Sequence, residues 1–118
     1  MAIKIHYNEE DDVFTIYDNE HKPSETIEFS EFLNIDINQD RGIVGLEVFY
    51  ASEFFSALNK IITKSLLESV ENVLIECKNY RNNWFIVLVF EKDGKKIRVQ
   101  MPPLRKNEYT SPLIASCE

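Results

Sequence analysis

The sequence is poor in the residues that build most cofactor and metal sites. Its 118 residues include three glycines, two cysteines and two histidines. Three scattered glycines, at positions 42, 45 and 94, cannot form a phosphate-binding loop. Cys77 and Cys117 lack the CxxC spacing of a zinc or redox motif, so we expect no cofactor, no zinc centre and no disulfide framework. Cys77 keeps the alternation of its predicted strand and is expected to be a small buried core residue.

Long hydrophobic stretches are also missing. No apolar run approaches the roughly 18 residues that span a membrane, and residues 1–12 lack the apolar segment of a signal peptide. We therefore expect a cytoplasmic protein without membrane contact. With 44% hydrophobic and 28% charged residues, the composition is that of one globular domain, which is large enough to fold without metal or disulfide.

Positive charge is scarce in the first half of the chain. Residues 1–58 contain three cations and thirteen carboxylates, for a net charge of −10, whereas residues 59–118 contain ten cations and seven carboxylates, for +3. Nucleic acid is excluded as a ligand of the acidic half, because its binding needs cations that replace condensed counterions. A basic protein partner fits this half better, since opposite charges steer association.

Six cations are concentrated in the second half. Lysine-rich strands are typical of sheet edges, where charge prevents aggregation, and we favour this interpretation over anion binding. The six residues are Lys92, Lys95, Lys96, Arg98, Arg105 and Lys106.

Segments of alternating apolar and polar residues dominate the chain, which predicts β-strands with one buried face. Stretches containing Asn, Asp and Gly separate them, as in hairpin turns. We therefore predict an α+β fold of antiparallel hairpins or a meander, with about seven or eight strands. The predicted strands cover residues 3–7, 13–17, 26–29, 32–37, 43–50, 73–80, 84–91 and 95–101.

A single main helix is predicted over residues 53–68. Ser52 has the side chain of an N-cap residue, and Glu53 would interact favourably with the helix dipole. The apolar residues that follow recur with helical spacing and would form one buried face. They are Phe54, Phe55, Leu58, Ile61, Ile62, Leu66 and Leu67.

The segment from Trp84 to Phe90 is apolar at every position. Such a strand is usually covered on both faces, and one helix covers only one of them. We predict a homodimer that buries the surplus face; packing of the N-terminal sheet on that face is the alternative. The predicted interface comprises Trp84, Ile86, Leu88 and Phe90, with Leu113 and Ile114 of a C-terminal tail.

Two blocks of the first half resemble a known family of small prokaryotic proteins. The first block is Tyr-Asn at residues 7–8, then Asp12 and an apolar strand at 13–16. The second is an acidic hairpin at 37–42, a Val-Gly-Leu-Glu run at 44–47 and Ala-Ser at 51–52. Over residues 3–55 the chain thereby resembles the domain-of-unknown-function family numbered 2283.

The resemblance implies a hairpin-rich α+β start and no particular activity, because none is established for the family. Some members are found beside small toxin-like partners, which suggests an antitoxin-like role at most. We predict one α+β domain over residues 1–103, made of the family-like part at 3–55 and a three-stranded extension at 59–103. Residues 104–118 are predicted to form the tail.

Asp36 and Glu47 are the candidate catalytic residues. Pairing of their two strands places both carboxylates on the face opposite the core, as diagonal neighbours. Paired carboxylates can divide the roles of acid and base, but the outer face of an antiparallel sheet commonly carries solvated acids. Gly45, inside the same hairpin, predicts a bulge or a close backbone approach.

A metal site is a weaker alternative. Four carboxylates, Glu9 to Asp12, follow His6, and clustered oxygens attract divalent cations. The run lacks the glycine and the spaced ligand positions of a calcium loop, so we predict no metal here. His6, Asp11 and Asp12 would be the ligands of such a site.

Two functions remain. The first is a small protein-binding or regulatory module, which the acidic half, the apolar strand and the lack of a catalytic motif favour. The second is a metal-dependent or carboxylate-based hydrolase that uses Asp36 and Glu47. One feature separates them, because the hydrolase needs these two carboxylates to line a concave site.

Overall fold

The computed structural model describes residues 3–80, 83–101 and 104–105. Most of them belong to two antiparallel sheets and two short helices, which agrees with the predicted α+β class. All eight predicted strands are present, close to their expected bounds. The strands are β1 (Ile3–Asn8), β2 (Val13–Asp18), β3 (Glu25–Ser30), β4 (Leu33–Asn38), β5 (Gly42–Phe49), β6 (Asn72–Tyr80), β7 (Asn83–Lys92), β8 (Lys95–Gln100) and β9 (Leu104–Arg105), and the helices are α1 (Ala51–Leu58) and α2 (Lys64–Ser69).

The first sheet contains five strands in the order β1-β2-β5-β4-β3. It is therefore not a simple meander, because β5 inserts between β2 and β4. Asparagine side chains close two of its hairpins. Asn8 Oδ1 accepts hydrogen bonds from the N–H groups of Glu10 and Asp11, at 3.1 and 3.2 Å, and Asn38 Oδ1 accepts from Asp40 at 2.9 Å. Both turns lie in stretches that the sequence predicted as hairpin turns, and an asparagine side chain closes each of them.

The predicted helix over residues 53–68 is divided into two. Helix α1 ends at Leu58, and Asn59 has an extended backbone (φ −154°, ψ 115°). Asn59 Oδ1 accepts a hydrogen bond from the Ile61 N–H at 3.0 Å, the kind of local bond that competes with helix formation. Helix α2 then begins after Thr63, whose hydroxyl oxygen accepts from the Leu66 N–H at 3.2 Å. The prediction of one continuous helix is therefore wrong.

The second sheet has β7 at its centre. Strand β6 pairs along nearly all of β7, so β8 and then β9 follow one another along its other side. Asp93 and Gly94 turn β7 into β8 with positive φ angles of 51° and 75°, as expected of an Asp-Gly hairpin. Strand β8 is at an edge of the sheet and carries Lys95, Lys96 and Arg98, which agrees with the interpretation of these cations as edge protection. Strand β9 lies in the segment predicted as a tail.

The two sheets share one hydrophobic core. Phe14 of β2, Phe55 of α1 and Phe90 of β7 are fully buried. Their ring centroids lie 5.3 to 6.0 Å apart with steeply inclined planes, an arrangement that stabilises beyond the area it buries. This triangle of rings fixes helix α1 against both sheets.

The inner face of β7 is part of this core. Ile86, Leu88 and Phe90 are each 0% exposed, since residues of the first sheet and of α1 belong to the same packed cluster. The prediction that these side chains form a dimer interface is wrong, and the alternative, packing of the N-terminal sheet on this face, is confirmed. The Trp84 side chain, Leu113 and Ile114 lie outside what the structure describes.

Strand β6 is buried at its start and becomes exposed along its length. Val73 is fully buried at its start, whereas Glu76, Cys77 and Lys78 are exposed. The prediction that Cys77 is a core residue is therefore wrong: Cys77 lies on β6, an outer strand of this sheet, and is exposed although Ile86, opposite it on the central strand β7, is fully buried. In the described part of the chain, neither helix is long and apolar enough to cross a bilayer.

Candidate functional site

Asp12 joins the first hairpin to helix α1. It lies in the turn between β1 and β2 with a left-handed backbone (φ 56°). Its carboxylate accepts hydrogen bonds from the Tyr7 hydroxyl at 2.6 Å, from the Ser52 hydroxyl at 2.7 Å, and from the Ser52 N–H at 3.0 and 3.2 Å. Its carbonyl oxygen accepts from the Ala51 N–H at 2.9 Å. We name Tyr7, Asp12 and Ser52 the Asp12 clasp.

The clasp supplies the cap that α1 lacks locally. Tyr50 precedes the helix in a left-handed conformation (φ 52°) and makes no side-chain cap hydrogen bond. Ser52 is the second residue of α1, so the prediction that it is the N-cap is wrong. Its hydroxyl donates to Asp12 instead of accepting from a helix N–H. A carboxylate at this position satisfies the free N–H groups of the first turn and interacts favourably with the helix dipole.

Burial and hydrogen bonds together determine the protonation state of the clasp. Partial burial alone would raise the pKa of Asp12, but the donors of Tyr7 and Ser52, together with the nearby Lys64 ammonium, hold it below its ordinary value. Burial, and then the hydrogen bond to Asp12, raise the pKa of Tyr7 well above its ordinary value. At neutral pH Asp12 is ionised and Tyr7 is neutral. The clasp is therefore suited to holding α1 in place and not to proton transfer near pH 7.

An exposed row of aromatic rings begins beside the clasp. Tyr50 is 57% exposed and Phe32 is 37% exposed, and their ring centroids are 5.9 Å apart. Phe32 also lies 6.4 Å from Phe54 of α1, which in turn lies 5.5 Å from the buried Phe55. We name Phe32, Tyr50 and Phe54 the aromatic ridge. It continues the ring contacts of the core out to the surface.

Two surface grooves adjoin the ridge. The first has a volume of about 530 Å³ and is lined by Asp11, Val13, Glu31, Phe49 and Tyr50. The second has a volume of about 410 Å³ and is lined by Phe32, Glu53, Phe54, Ala57 and Leu58. Each lining is mostly apolar, and each charged residue in it is a carboxylate. These grooves fit apolar side chains accompanied by positive charge.

Asp36 and Glu47 lie on the outer face of the first sheet, as predicted. Asp36 is opposite Gly45, and Glu47 is opposite Asn34. The Thr26 hydroxyl donates to Asp36 Oδ1 at 2.6 Å, and Asn34 Nδ2 donates to Glu47 Oε1 at 3.3 Å. Neither carboxylate lines either of the two grooves at the ridge. The concave setting that a hydrolase would need is not found there.

Gly45 is explained by a close approach between neighbouring strands. A Cβ atom at this position would lie 2.9 Å from Asp36 Oδ2 and 3.0 Å from the carbonyl oxygen of Ile16. Both distances are shorter than ordinary van der Waals contact. The predicted close approach is confirmed, and the register of β4 and β5 also shifts between Asp36 and Ile37.

The three metal candidates of the sequence do not form a ligand set among the residues that the structure describes. Asp12 is occupied by the clasp, Asp11 accepts from Asn8 Nδ2 at 3.2 Å, and His6 lies opposite Thr15 on the outer face of the first sheet.

A group of ionisable residues at the end of β2 and in the loop that follows was not suggested by the sequence. Ligand atoms of Asp18, Glu20 and His21 lie within 4.8 Å of one another. Both Asp18 oxygens already accept hydrogen bonds, one from the Glu20 N–H and one from His21 Nδ1, each at 2.8 Å. Burial would raise the pKa of Asp18, but these donors hold it below its ordinary value. Asp18 therefore holds the loop that follows β2.

The fold and the clasp define a strand-rich α+β protein with two antiparallel sheets and one remotely capped helix. Residues 4–52 match the model of the family described as "Protein of unknown function (DUF2283)", which confirms the resemblance over that segment. The matched segment contains all three residues of the clasp, Tyr7, Asp12 and Ser52. No curated protein and no solved structure matches the chain.

Proposed function

We propose that this protein is a protein-binding module whose binding surface is the aromatic ridge with its two grooves. The observation that carries the proposal is the exposed ring pair of Phe32 and Tyr50, set between apolar grooves whose charged lining residues are carboxylates. Large aromatic side chains contribute most of the binding energy at many protein interfaces. A contiguous exposed apolar surface is typical of an interaction site.

The partner we propose is a basic protein segment with large apolar side chains. Its apolar side chains would enter the grooves, and its Lys or Arg side chains would pair with Asp11, Glu31 and Glu53. The net charge of −10 over residues 1–58 would accelerate the approach of such a partner. An antitoxin-like role, with a basic toxin as the partner, is one version of this proposal. We also propose that the protein is cytoplasmic, as expected from the sequence.

The hydrolase alternative has no support. None of the comparisons points to an enzyme, and Asp36 and Glu47 lie away from both grooves at the ridge.

Selection of random peptides on the immobilised protein tests the proposal. We expect the selected peptides to combine Lys or Arg with Trp, Phe or Leu. Two leucines of nearly equal exposure provide matched variants: Leu58, 38% exposed, lines a groove, whereas Leu74, 39% exposed, lies on the other sheet. Leu58→Ser is expected to weaken binding of a selected peptide about tenfold, which is about 1.4 kcal/mol, and Leu74→Ser is expected to leave it unchanged. Equal losses in both variants, or peptides without basic residues, would contradict the proposal.

We also propose a homodimer. Its interface would be the outer face of the second sheet, and not the inner face that the sequence predicted. Leu74 is exposed there, and Val87 is half-buried. Glu76 and Arg98 form an ion pair on the same face, so a two-fold contact can place Glu76 of one copy beside Arg98 of the other. Sedimentation equilibrium is expected to show a dimer that Val87→Asp dissociates, and a single species near 13.8 kDa for the unmodified chain would refute it.

A further inference from the structure

We propose that the segment of the partner that fills the second groove is a basic amphipathic helix, which packs alongside helix α1 over Ala57. The inference rests on the proposed function, from which it takes a basic and apolar partner segment at the aromatic ridge. It adds the conformation of that segment, and with it the spacing of the side chains that the partner must present.

One face of α1 is apolar and open to solvent among the residues that the structure describes. Ala51 and Phe55 of this helix are buried in the core, whereas Phe54 is half-buried and Ala57 and Leu58 are exposed. Phe54, Ala57 and Leu58 follow the i, i+3 and i+4 spacing of an apolar helix stripe. The apolar surface of α1 therefore extends from the core to the second groove.

The relief of this face is that of a helix-packing surface. Phe54 and Leu58 are four residues apart on α1, so their side chains form a row along the helix. The small side chain of Ala57 is next to this row, and the Phe32 ring lies 6.4 Å from the Phe54 ring. Two helices pack by placing the side-chain rows of one into the spaces beside the rows of the other. A large apolar side chain of a partner helix fits over Ala57 in this way.

The backbone at the two grooves favours a helix over an extended segment. Apart from Phe32, the lining of the second groove belongs to α1, and the peptide groups of a helix point along its axis and not towards a neighbour at its side. Val13 and Phe49 of the first groove lie on β2 and β5, each of which is paired on both sides. An extended segment would therefore bury its own N–H and C=O groups without partners, whereas a helix satisfies them internally.

The charges beside the second groove favour a basic helix. Glu53 is the charged residue of its lining, and Glu31 is in the lining of the neighbouring first groove. Lys60 and Lys64 follow α1 in the sequence. Neither lysine is in the lining of these grooves, and Lys64 interacts with Asp12. Lys or Arg residues at the edge of the partner's apolar face would pair with the glutamates and fix its orientation.

Two other occupants match the groove less well. If α1 packed on α1 of a second copy, Glu53 of both copies would lie in one interface, and like charges oppose such a contact. The C-terminal segment of this chain, residues 106–118, contains one lysine and two glutamates, so it is not basic. Pro112 also interrupts helical hydrogen bonding in the middle of that segment. A segment of a different protein is the occupant that we propose.

Two synthetic peptides of identical composition test the inference. Each contains about 14 residues of Leu, Phe, Lys and Arg. One places its apolar residues at helical spacing, and the other alternates apolar and basic residues, so the two differ in period but not in charge or hydrophobicity. In fluorescence-anisotropy titrations we expect the helical-period peptide to bind at least about tenfold more tightly. Its far-UV circular dichroism is expected to show a gain of helix when the protein is added.

Two glutamine substitutions test the place of contact. Ala57→Gln puts a long side chain where the partner helix would approach, and we expect it to weaken binding of the helical-period peptide about tenfold. Ser65→Gln is the matched control, because Ser65 is exposed on α2 and is in the lining of neither groove. It is expected to leave the affinity unchanged. Glutamine is a good helix former, so both variants should fold, and circular dichroism of each variant alone checks this.

Failure of the inference is distinguishable from failure of the proposed function. Equal affinity of the two peptides, without a gain of helix, would overturn the helix and leave a basic, apolar partner segment standing. Binding of neither peptide, or equal losses in both glutamine variants, would also overturn the inference, and the selection of random peptides would still decide the proposed function.

NMR spectra of the protein alone test the other two occupants. The inference predicts amide shifts at Ala57 that do not depend on protein concentration, and no contacts between the methyl groups of Leu113 or Ile114 and Leu58. Concentration-dependent shifts would identify a second copy in the groove, and such methyl contacts would identify the C-terminal segment. Either result would overturn the inference.

Discussion

The outer faces of the two sheets differ in charge, although both belong to antiparallel sheets on one core. The first sheet presents Glu28, Asp36 and Glu47, with its cations confined to the edge strand β1. The second sheet presents Glu76 and Arg98 as an ion pair, with further cations on β8. The centre of the first face is therefore acidic, whereas the second face carries both signs of charge. The first sheet lies almost entirely within residues 4–52, the segment that matches the family model.

The two helices differ in the origin of their caps. Thr63 caps α2 from the adjacent position in the sequence, whereas Asp12 caps α1 from 40 positions before Ser52. The stability of α1, which places Phe54 and Leu58 in the lining of one groove, therefore depends on the first hairpin. A short isolated helix has little stability of its own in water.

The largest expected effect is that of Phe90→Ala, which tests whether the two sheets unfold together. Phe90 contacts the rings of both Phe14 and Phe55, so its truncation should cost about 4 kcal/mol. Urea unfolding followed by far-UV circular dichroism and by tyrosine fluorescence should give one shared, lowered midpoint. Two separate transitions would show that the sheets are independent units.

Asp12→Ala should cost about 3 kcal/mol. It removes hydrogen bonds to a charged acceptor, leaves the Tyr7 hydroxyl without its partner, and places alanine at a positive φ. Asp11→Ala, at the exposed neighbouring position, is the matched control and should change the free energy of unfolding by less than about 0.5 kcal/mol. If Asp12→Ala and Asp11→Ala lower the free energy of unfolding by similar amounts, the clasp does not stabilise α1.

The pH dependence of stability should carry the signature of Asp12 and Asp18. Both have a folded-state pKa below the ordinary value, so their contribution is present above about pH 4 and is lost as the pH falls through the lower folded-state pKa. Glu68 acts in the opposite direction, because its contact with Glu9 raises its pKa. Unfolding midpoints measured between about pH 2 and pH 6 should fall less steeply in Asp12→Asn than in the unmodified chain. If the unfolding midpoint depends on pH equally steeply in Asp12→Asn and in the unmodified chain, Asp12 does not contribute to the pH dependence of stability.

Ser52→Ala should have the smallest effect, about 1 kcal/mol, because it removes one hydroxyl donor to Asp12 while the Ser52 N–H remains. The mechanism can be checked in combination with Asp12→Ala. If Ser52 acts through Asp12, the double variant should be no less stable than Asp12→Ala alone. If the losses of stability in Ser52→Ala and Asp12→Ala add up in the double variant, the Ser52 hydroxyl stabilises the protein independently of Asp12.

The strands were predictable from the sequence because alternation and turn residues are local signals. The register of Asp36 and Glu47 followed from the same alternation, apart from the irregularity at Ile37. The break at Asn59 was missed because the apolar spacing continues across it. The Asp12 clasp was missed because Asp12 and Ser52 meet only in the folded chain. The aromatic ridge was missed because Phe32 meets Tyr50 and Phe54 only in the folded chain.

Mapping where a selected basic peptide binds is the most direct test of the proposed binding surface. Amide chemical shifts of the unmodified protein would be recorded with and without the peptide. If the aromatic ridge is the binding surface, the largest changes should occur at Phe32, Tyr50 and Phe54. Largest changes at Val87 and the neighbouring outer face of the second sheet would contradict it.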